Sequence, residues 1–133
     1  MNEIRDLNSA ITVENARTSA AISTNTTSNG AIIDLELCGG VEFIMNVTAY
    51  TDGTYTPSIQ VGNESDLSDA ATADATTIRG DLTAVTAVGV TSFGLARTTF
   101  RYARMVITST GTTTGATINA VAVKYDLAQI GEV

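Results

Sequence analysis

From Ala31 onward, outside the segment Gly62–Asp81, the chain runs in stretches of alternating or near-continuous β-formers, and nowhere does it hold a capped 3.6-residue apolar period. Val41–Tyr50 (VEFIMNVTAY) sets Val41, Phe43, Met45, Val47 and Ala49 on one side and Glu42, Asn46 and Thr48 on the other, the pattern of a half-buried strand. Ala31–Cys38 (AIIDLELC) does the same, with Ala31, Ile33, Leu35 and Leu37 inward against Asp34 and Glu36, and Gly39-Gly40 ends it. Tyr55–Val61 contains Pro57, which lacks an N–H, so this strand should lie at an edge or be paired on one side only. Thr83–Ala87 and Val88–Leu95 read as short strands broken by Gly89 and Gly94.

Phe100–Ser109 and Ala116–Tyr125 are β-rich runs flanking TGTTTG, and Val41–Tyr50 and Tyr55–Val61 flank TDGT. Each pair has the sequence form of a β-hairpin. Tyr50 and Tyr55, on either side of the second turn, are expected to pack ring against ring. The apolar faces of Ile33/Leu35/Leu37 and Phe43/Met45/Val47 should share one core with Met105, Ile107 and Ile118. The segment Gly62–Asp81 is irregular and acidic; its Ala-rich stretch Ser65–Ala75 leaves room for a short helix. Before Ala31 the chain is polar and short of bulky residues, with at most two short strands at Ile11–Val13 and Ala20–Ile22. It reads as an extended arm over 1–29, then a β-sandwich over 30–126 and a tail over 127–133.

Composition sharpens this. The 133 residues suit one domain with a real core, and aromatics at 5% with no Trp suit a thin one. Thr, roughly one residue in six, is β-branched and fits a half-exposed pleated surface. Charged residues are only 16%, so Ser and Thr supply much of the polar surface, or a partner covers part of it. The net charge of −7 opposes binding to a nucleic-acid backbone. No apolar run reaches the ~20 residues that span a bilayer, and MNEIRDLNSA lacks the basic start and apolar block of a signal peptide, so a cytoplasmically made protein without membrane contact is expected.

The residues for most chemistry are missing. Without histidine there is no Ser-His-Asp or Cys-His catalysis and no common zinc set, and Cys38 has no base to activate it and no second cysteine to pair with. Glu64, Asp66 or Asp69 with Asp74 or Asp81 could form a glycosidase pair, but the chain has no Trp and few Tyr to hold sugar rings. Asn63, Glu64, Asp66 and Asp69 could supply oxygens to calcium, yet their spacing lacks the central Gly and terminal Glu of an EF-hand loop, and a solvated acidic loop explains them. Arg79-Gly80-Asp81 spells an integrin-recognition tripeptide and reads as a chance match with Gly80 in a turn. Arg101 and Arg104, three apart on a strand, should point to opposite faces, one exposed and one paired with a carboxylate near the rim. No catalytic, cofactor or metal residue is assigned, and the chain is expected not to be an enzyme.

The run from Thr51 to Pro57 (TDGTYTP), the acidic loop Glu64–Asp69, and Arg101, Tyr102 and Arg104 leading into a β run with a Thr/Gly turn resemble small tailed-phage head proteins, the decoration or cement proteins and related minor capsid proteins. The resemblance covers about residues 30–125 and implies a jelly-roll sandwich in the virion. It implies binding to the outer face of the major capsid protein shell, as a homo-oligomer with a trimer preferred, after synthesis in the bacterial host cytoplasm. The acidic loop here is longer and richer in Ala than that pattern, and the arm has no counterpart in it. On this reading the arm is the partner-binding segment, through Ile4, Leu7, Ile11, Val13 and Arg17. The alternative is a carbohydrate-binding module or adhesin-like domain on a phage particle, which an exposed cluster of Tyr, Asp and Asn at one sandwich end would favour.

Overall fold

The computed structural model describes residues 6–96 and 99–127. A single helical turn, α1 (Leu7–Ala10), is capped by the Asp6 side chain and leads into β1 (Thr12–Ile22). There follow β2 (Thr27–Asn29), β3 (Ile33–Asp34), β4 (Cys38–Tyr50), β5 (Thr54–Gly62), β6 (Ala71–Thr72), β7 (Ile78–Gly80), β8 (Gly89–Ala96), β9 (Tyr102–Thr110) and β10 (Ala116–Leu127). They form two antiparallel sheets, β1-β10-β4-β8-β7 and β2-β9-β5-β6, with β3 also on β9. Set aside the short β3 and β7, and the first sheet takes the first, eighth, third and sixth of eight strands while the second takes the second, seventh, fourth and fifth. That interleaving is the jelly roll: two Greek keys folded into facing sheets. The all-β sandwich expected from the alternation is therefore present.

The two hairpins are not. β4 belongs to the first sheet and β5 to the second, and β9 and β10 are split in the same way. TDGT and TGTTTG are arches that carry the chain across the sandwich. A Gly turn between two β runs is needed for an arch as much as for a hairpin, so the turn chemistry does not distinguish them. The ladders run instead between strands distant in sequence, β10 with β4 over Ala116↔Tyr50 to Leu127↔Cys38, and β5 with β9 over Thr54↔Thr110 to Gly62↔Tyr102.

One core fills the space between the sheets. Val41, Phe43, Met45 and Val47 of β4 face Tyr55, Ile59, Met105 and Ile107, with Ile33, Leu35 and Ile118 also buried. Phe43 and Phe93 stack at 6.0 Å between centroids. Three expected inward residues are not inside, the first being Ala31, exposed ahead of β3. Leu37 is 53% exposed because the chain turns there through a left-handed backbone (φ 64), so alternation from Ile33 stops at Leu35. Ala49 is exposed because Thr48 has no partner in the β4–β10 register, where Ala49 pairs with Thr117 and Val47 with Ile118; the extra residue shifts the faces. The strand holding Pro57 is not the edge or one-sided strand expected: β5 lies between β9 and β6, and Pro57 is tolerated because no strand pairs with it on the side away from β9. Tyr55 and Ile59 turn their polar backbone groups outward to Val85 and Ala73, so Pro57, in phase with them, lacks its N–H on the edge away from β9.

The arm is the larger correction. Over Thr12–Ile22 the expected arm is an edge strand of the first sheet, paired with β10 from Thr12↔Lys124 to Ile22↔Ala116. Ala16 and Ile22 belong to the core, and β2 pairs with β9 within the same segment. The sandwich therefore begins at Thr12 rather than Gly30. Between Ser65 and Ala75 there is no helix; the chain makes turns, β6 and one 3-10 turn at Ala75–Thr77. Thr83–Ala87 is a loop whose Val85 bridges to Tyr55 of the second sheet and packs against the core. Residues 128–133, most of the expected tail, lie outside the described residues.

Candidate interaction surface

The outer face of the first sheet carries bulky apolar residues among its polar ones, where the outer face of a half-exposed sheet is ordinarily polar. The cause is β10, ATINAVAVKY. Its inward residues are Ala116, Ile118, Ala120 and Ala122, all buried, so its two bulky valines, Val121 and Val123, point outward. Strand register places them in rows. Val13, Val123, Glu42 and Gly94 share one row, with Arg79 beyond Gly94. Asn15, Val121, Ile44 and Ser92 share the next, and Asn119, Asn46 and Val90 the third. Val13 is 55% exposed, Val121 38% and Val90 67%. Ile44 and Val123 are half-buried in the same strip. The outer face of the second sheet carries Tyr102, Arg104, Thr108 and Thr110 on β9, with the Arg104 Nε donating to Gln60 Oε1 at 2.8 Å.

The five residues expected to bind a partner divide on this map. Val13 lies on the apolar face, beside Val123. Leu7, on α1, is 72% exposed, and Ile11 is half-buried. Arg17 is turned toward the sandwich edge, where Nε donates to the Ile118 carbonyl (3.2 Å) and Nη1 to Ser28 Oγ (2.6 Å), tying the two sheets together. Burial there lowers the guanidinium's pKa. Ile4 lies outside the described residues. Val121, Val123, Ile44 and Val90 were missed. The signal was in the sequence: a strand whose one phase is mostly alanine and whose other phase holds valine has its bulk on the unexpected side.

The two ends of the sandwich are closed by side chains bound to the chain itself. At one end the Asp52 carboxylate accepts the N–H groups of Thr113 (3.1 Å), Thr114 (3.1 Å) and Gly115 (2.8 Å) and the Thr113 hydroxyl, joining the two arches. These donors hold its pKa down to about 2. The Tyr50 and Tyr55 rings meet edge to face at 6.3 Å, across the arch rather than across a hairpin, and their hydroxyls donate to the carbonyls of Gly53 (2.7 Å) and Asp52 (2.8 Å). At the other end the Arg101 guanidinium forks onto Asp34 (2.9 and 3.0 Å), reaches Glu36 (3.0 Å) and lies over the Tyr102 ring. That pairing lowers the Asp34 pKa and raises that of Arg101. Lys124 closes the same end through Glu14 (2.6 Å) and the Asp34 carbonyl.

The acidic loop holds its carboxylates against its own backbone. Asp69 accepts from Asn63 and Glu64, and Asp66 from Ser68, which lowers both pKa values. Among the described residues no group of three acidic, His or Cys side chains is placed to hold a metal ion. In Arg79-Gly80-Asp81 the Arg79 Nη1 donates back to the carbonyls of Thr76 and Ile78, and Asp81 caps Thr83, with Gly80 in the left-handed region (φ 85). Cys38 is half-buried and its Sγ donates to the Leu35 carbonyl, with burial raising its pKa. An uncharged groove of about 270 Å³ is formed within the loop Thr83–Thr91, next to Val90. No helix among the described residues is long and apolar enough to cross a membrane.

The class defined by these features is a jelly-roll sandwich with closed ends and one outer face bearing bulky apolar residues. No family model matches the chain, and no curated protein matches it. A solved structure to which it is similar is that of the SPBc2 prophage-derived protein YomS, at 9% identity, with 85% of this chain and 92% of that chain covered and a TM-score of 0.46. A likeness of that size transfers no function.

Proposed function

We propose that this chain is a non-enzymatic structural protein of a phage virion, a decoration protein that binds the major capsid protein shell as a homo-oligomer and reinforces it. The observation that carries the reading is the set of exposed and half-buried apolar residues on the first sheet, Val13, Val121, Ile44 and Val90, in a chain whose charged fraction is only 16%. Exposed apolar area of this kind marks association surfaces. The motif resemblance of Thr51–Pro57 and Arg101–Arg104 supplies the virion context. The mechanism is multivalent: an oligomer touches several shell subunits at once, so modest single contacts sum to stable binding. A trimer is the preferred stoichiometry.

Pelleting with empty phage shells tests this. The protein should co-sediment with shells at micromolar concentration and raise the temperature at which they disrupt. A protein that stays in the supernatant at tens of micromolar, well above a Kd of about 1 μM, is not a shell protein.

A further inference from the structure

We infer that the outer face of the first sheet is the surface through which copies of this chain bury against one another, with Val121 at its centre. This rests on the reading above, in which the chain works as an oligomer, and names the surface used. Charge selects a second copy as the occupant. The two rows Asn15, Val121, Ile44, Ser92 and Asn119, Asn46, Val90 contain no charged residue, although the chain carries −7 overall. Two such faces meet about a two-fold axis without opposing like charges, a contact that closes as a dimer rather than as the trimer preferred above. At the acidic loop and the second sheet's outer face, self-contact brings like charges together through Glu64, Asp66, Asp69 and Asp74 or through Arg104. The face's charged residues, Glu42 and Arg79, stand in its end row on either side of Gly94 and are opposite in sign.

Size and chemistry agree. The sheet has five strands and β10 has 12 residues. At about 4.8 Å between strands and 3.3 Å per residue, β10 runs about 40 Å and the eight-residue β8 about 26 Å, so the face averages roughly 20 by 30 Å, on the order of 600 Å² per copy. Burying it on both copies removes on the order of 1,200 Å², the lower bound of a stable specific interface. Asn15, Asn46 and Asn119 each offer donors and an acceptor, so the polar rim of the strip can pair with its own copy without a complementary partner. An apolar centre inside a polar rim is the anatomy of a protein interface.

The test is Val121→Asp on the full chain, read by sedimentation velocity, with circular dichroism and shell pelleting alongside. The wild type should sediment at a multiple of 13.8 kDa, and the variant as a folded monomer with self-association weakened on the order of 30-fold or more, the size of a hot-spot loss. Arg104→Asp, on the other sheet's outer face, should leave the mass unchanged. A monomeric wild type overturns the inference, and so does a Val121→Asp variant that keeps the oligomer. If that variant keeps the oligomer but no longer pellets, the face belongs to the shell contact; the inference falls and the proposed function stands. If it dissociates while neither protein pellets, the inference stands and the shell reading falls. Should the β signal be lost, Val121→Asn puts the same question with a neutral side chain.

Discussion

The two outer faces of this sandwich differ in a way that the core does not require. On the second sheet β9 sends Met105 and Ile107 inward and Tyr102, Arg104, Val106 and Thr108 outward, a mostly polar face whose one apolar member, Val106, is buried. On the first sheet β10 sends Ala120 and Ala122 inward and Val121 and Val123 outward. The space inside is already filled largely by Phe43, Met45, Phe93 and Ile107, so β10 can approach with alanine at three of its four inward positions, Ile118 being the exception. The valines on its outer side contribute nothing to that filling. They are the side chains through which the proposed association would act.

The shared core can be broken at its centre. Phe43→Ala removes a fully buried ring stacked on Phe93 and should cost about 3–5 kcal/mol, enough to unfold much of a marginal domain. Chemical denaturation followed by circular dichroism reads it, and a loss below about 1 kcal/mol would mean that the two sheets do not share this core.

Neighbouring positions on β10 sharpen the contrast. Ala120→Leu forces three extra carbons into filled space and should destabilise by about 1–3 kcal/mol, because Ala120 is 1% exposed. Val121→Thr, one residue along, should change monomer stability by no more than about 0.5 kcal/mol. Equal effects at both positions would mean that the outer face is covered within the monomer.

Acid distinguishes the closed ends from the open face. Asp52 has its pKa lowered from 3.8 to about 2, so the folded state prefers its ionised form. Its contribution is fully present above about pH 4 and is lost as the pH falls toward 2. Asp34, Asp66, Asp69 and Asp74 are lowered too and act in the same direction. Melting temperature should therefore drop between pH 4 and pH 2. Asp52→Asn should melt lower at pH 6 and show a shallower drop. A wild-type melting temperature that is flat across this window would contradict the network at the arches. The apolar face has no titrating group in its central rows and should keep its self-association to the lowest pH at which the fold survives.

How much of this was legible depends on what each residue reports. Alternation in Val41–Val47 gave the strand and its buried side, because a fully formed strand has period two whatever its partner. It failed where the backbone leaves that period, at Leu37 through a left-handed turn and at Ala49 through a bulge. The hairpins failed for a different reason. Jelly-roll topology sends most successive strands to opposite sheets, so two hairpins around TDGT and TGTTTG were incompatible with the fold the same sequence implied. The edge strand β1 was hidden because it gives the core only Ala16 and Ile22. Its place is fixed by backbone pairing to β10, about which side-chain composition says nothing. Part of the candidate face was visible as Val13, and the rest required the register that sets Val121, Ile44 and Val90 beside one another.

The smallest effect is expected at Arg101. Its fork on Asp34 and contact with Glu36 have good geometry, but all three side chains stand close to half exposed, where water screens the attraction. Arg101→Lys keeps the charge and loses the fork. The global melting temperature should hardly move, because no core residue depends on the guanidinium. The local structure should respond. β3 is two residues long, and Leu35 beyond it donates its N–H to the Arg101 carbonyl at 2.6 Å. With Asp34 no longer clamped, this short pairing should open more often. Hydrogen exchange at the Leu35 amide should quicken while amides in β4 and β10 keep their protection. Uniform acceleration across the sandwich would show instead that the Asp34–Arg101 pair supports the whole fold.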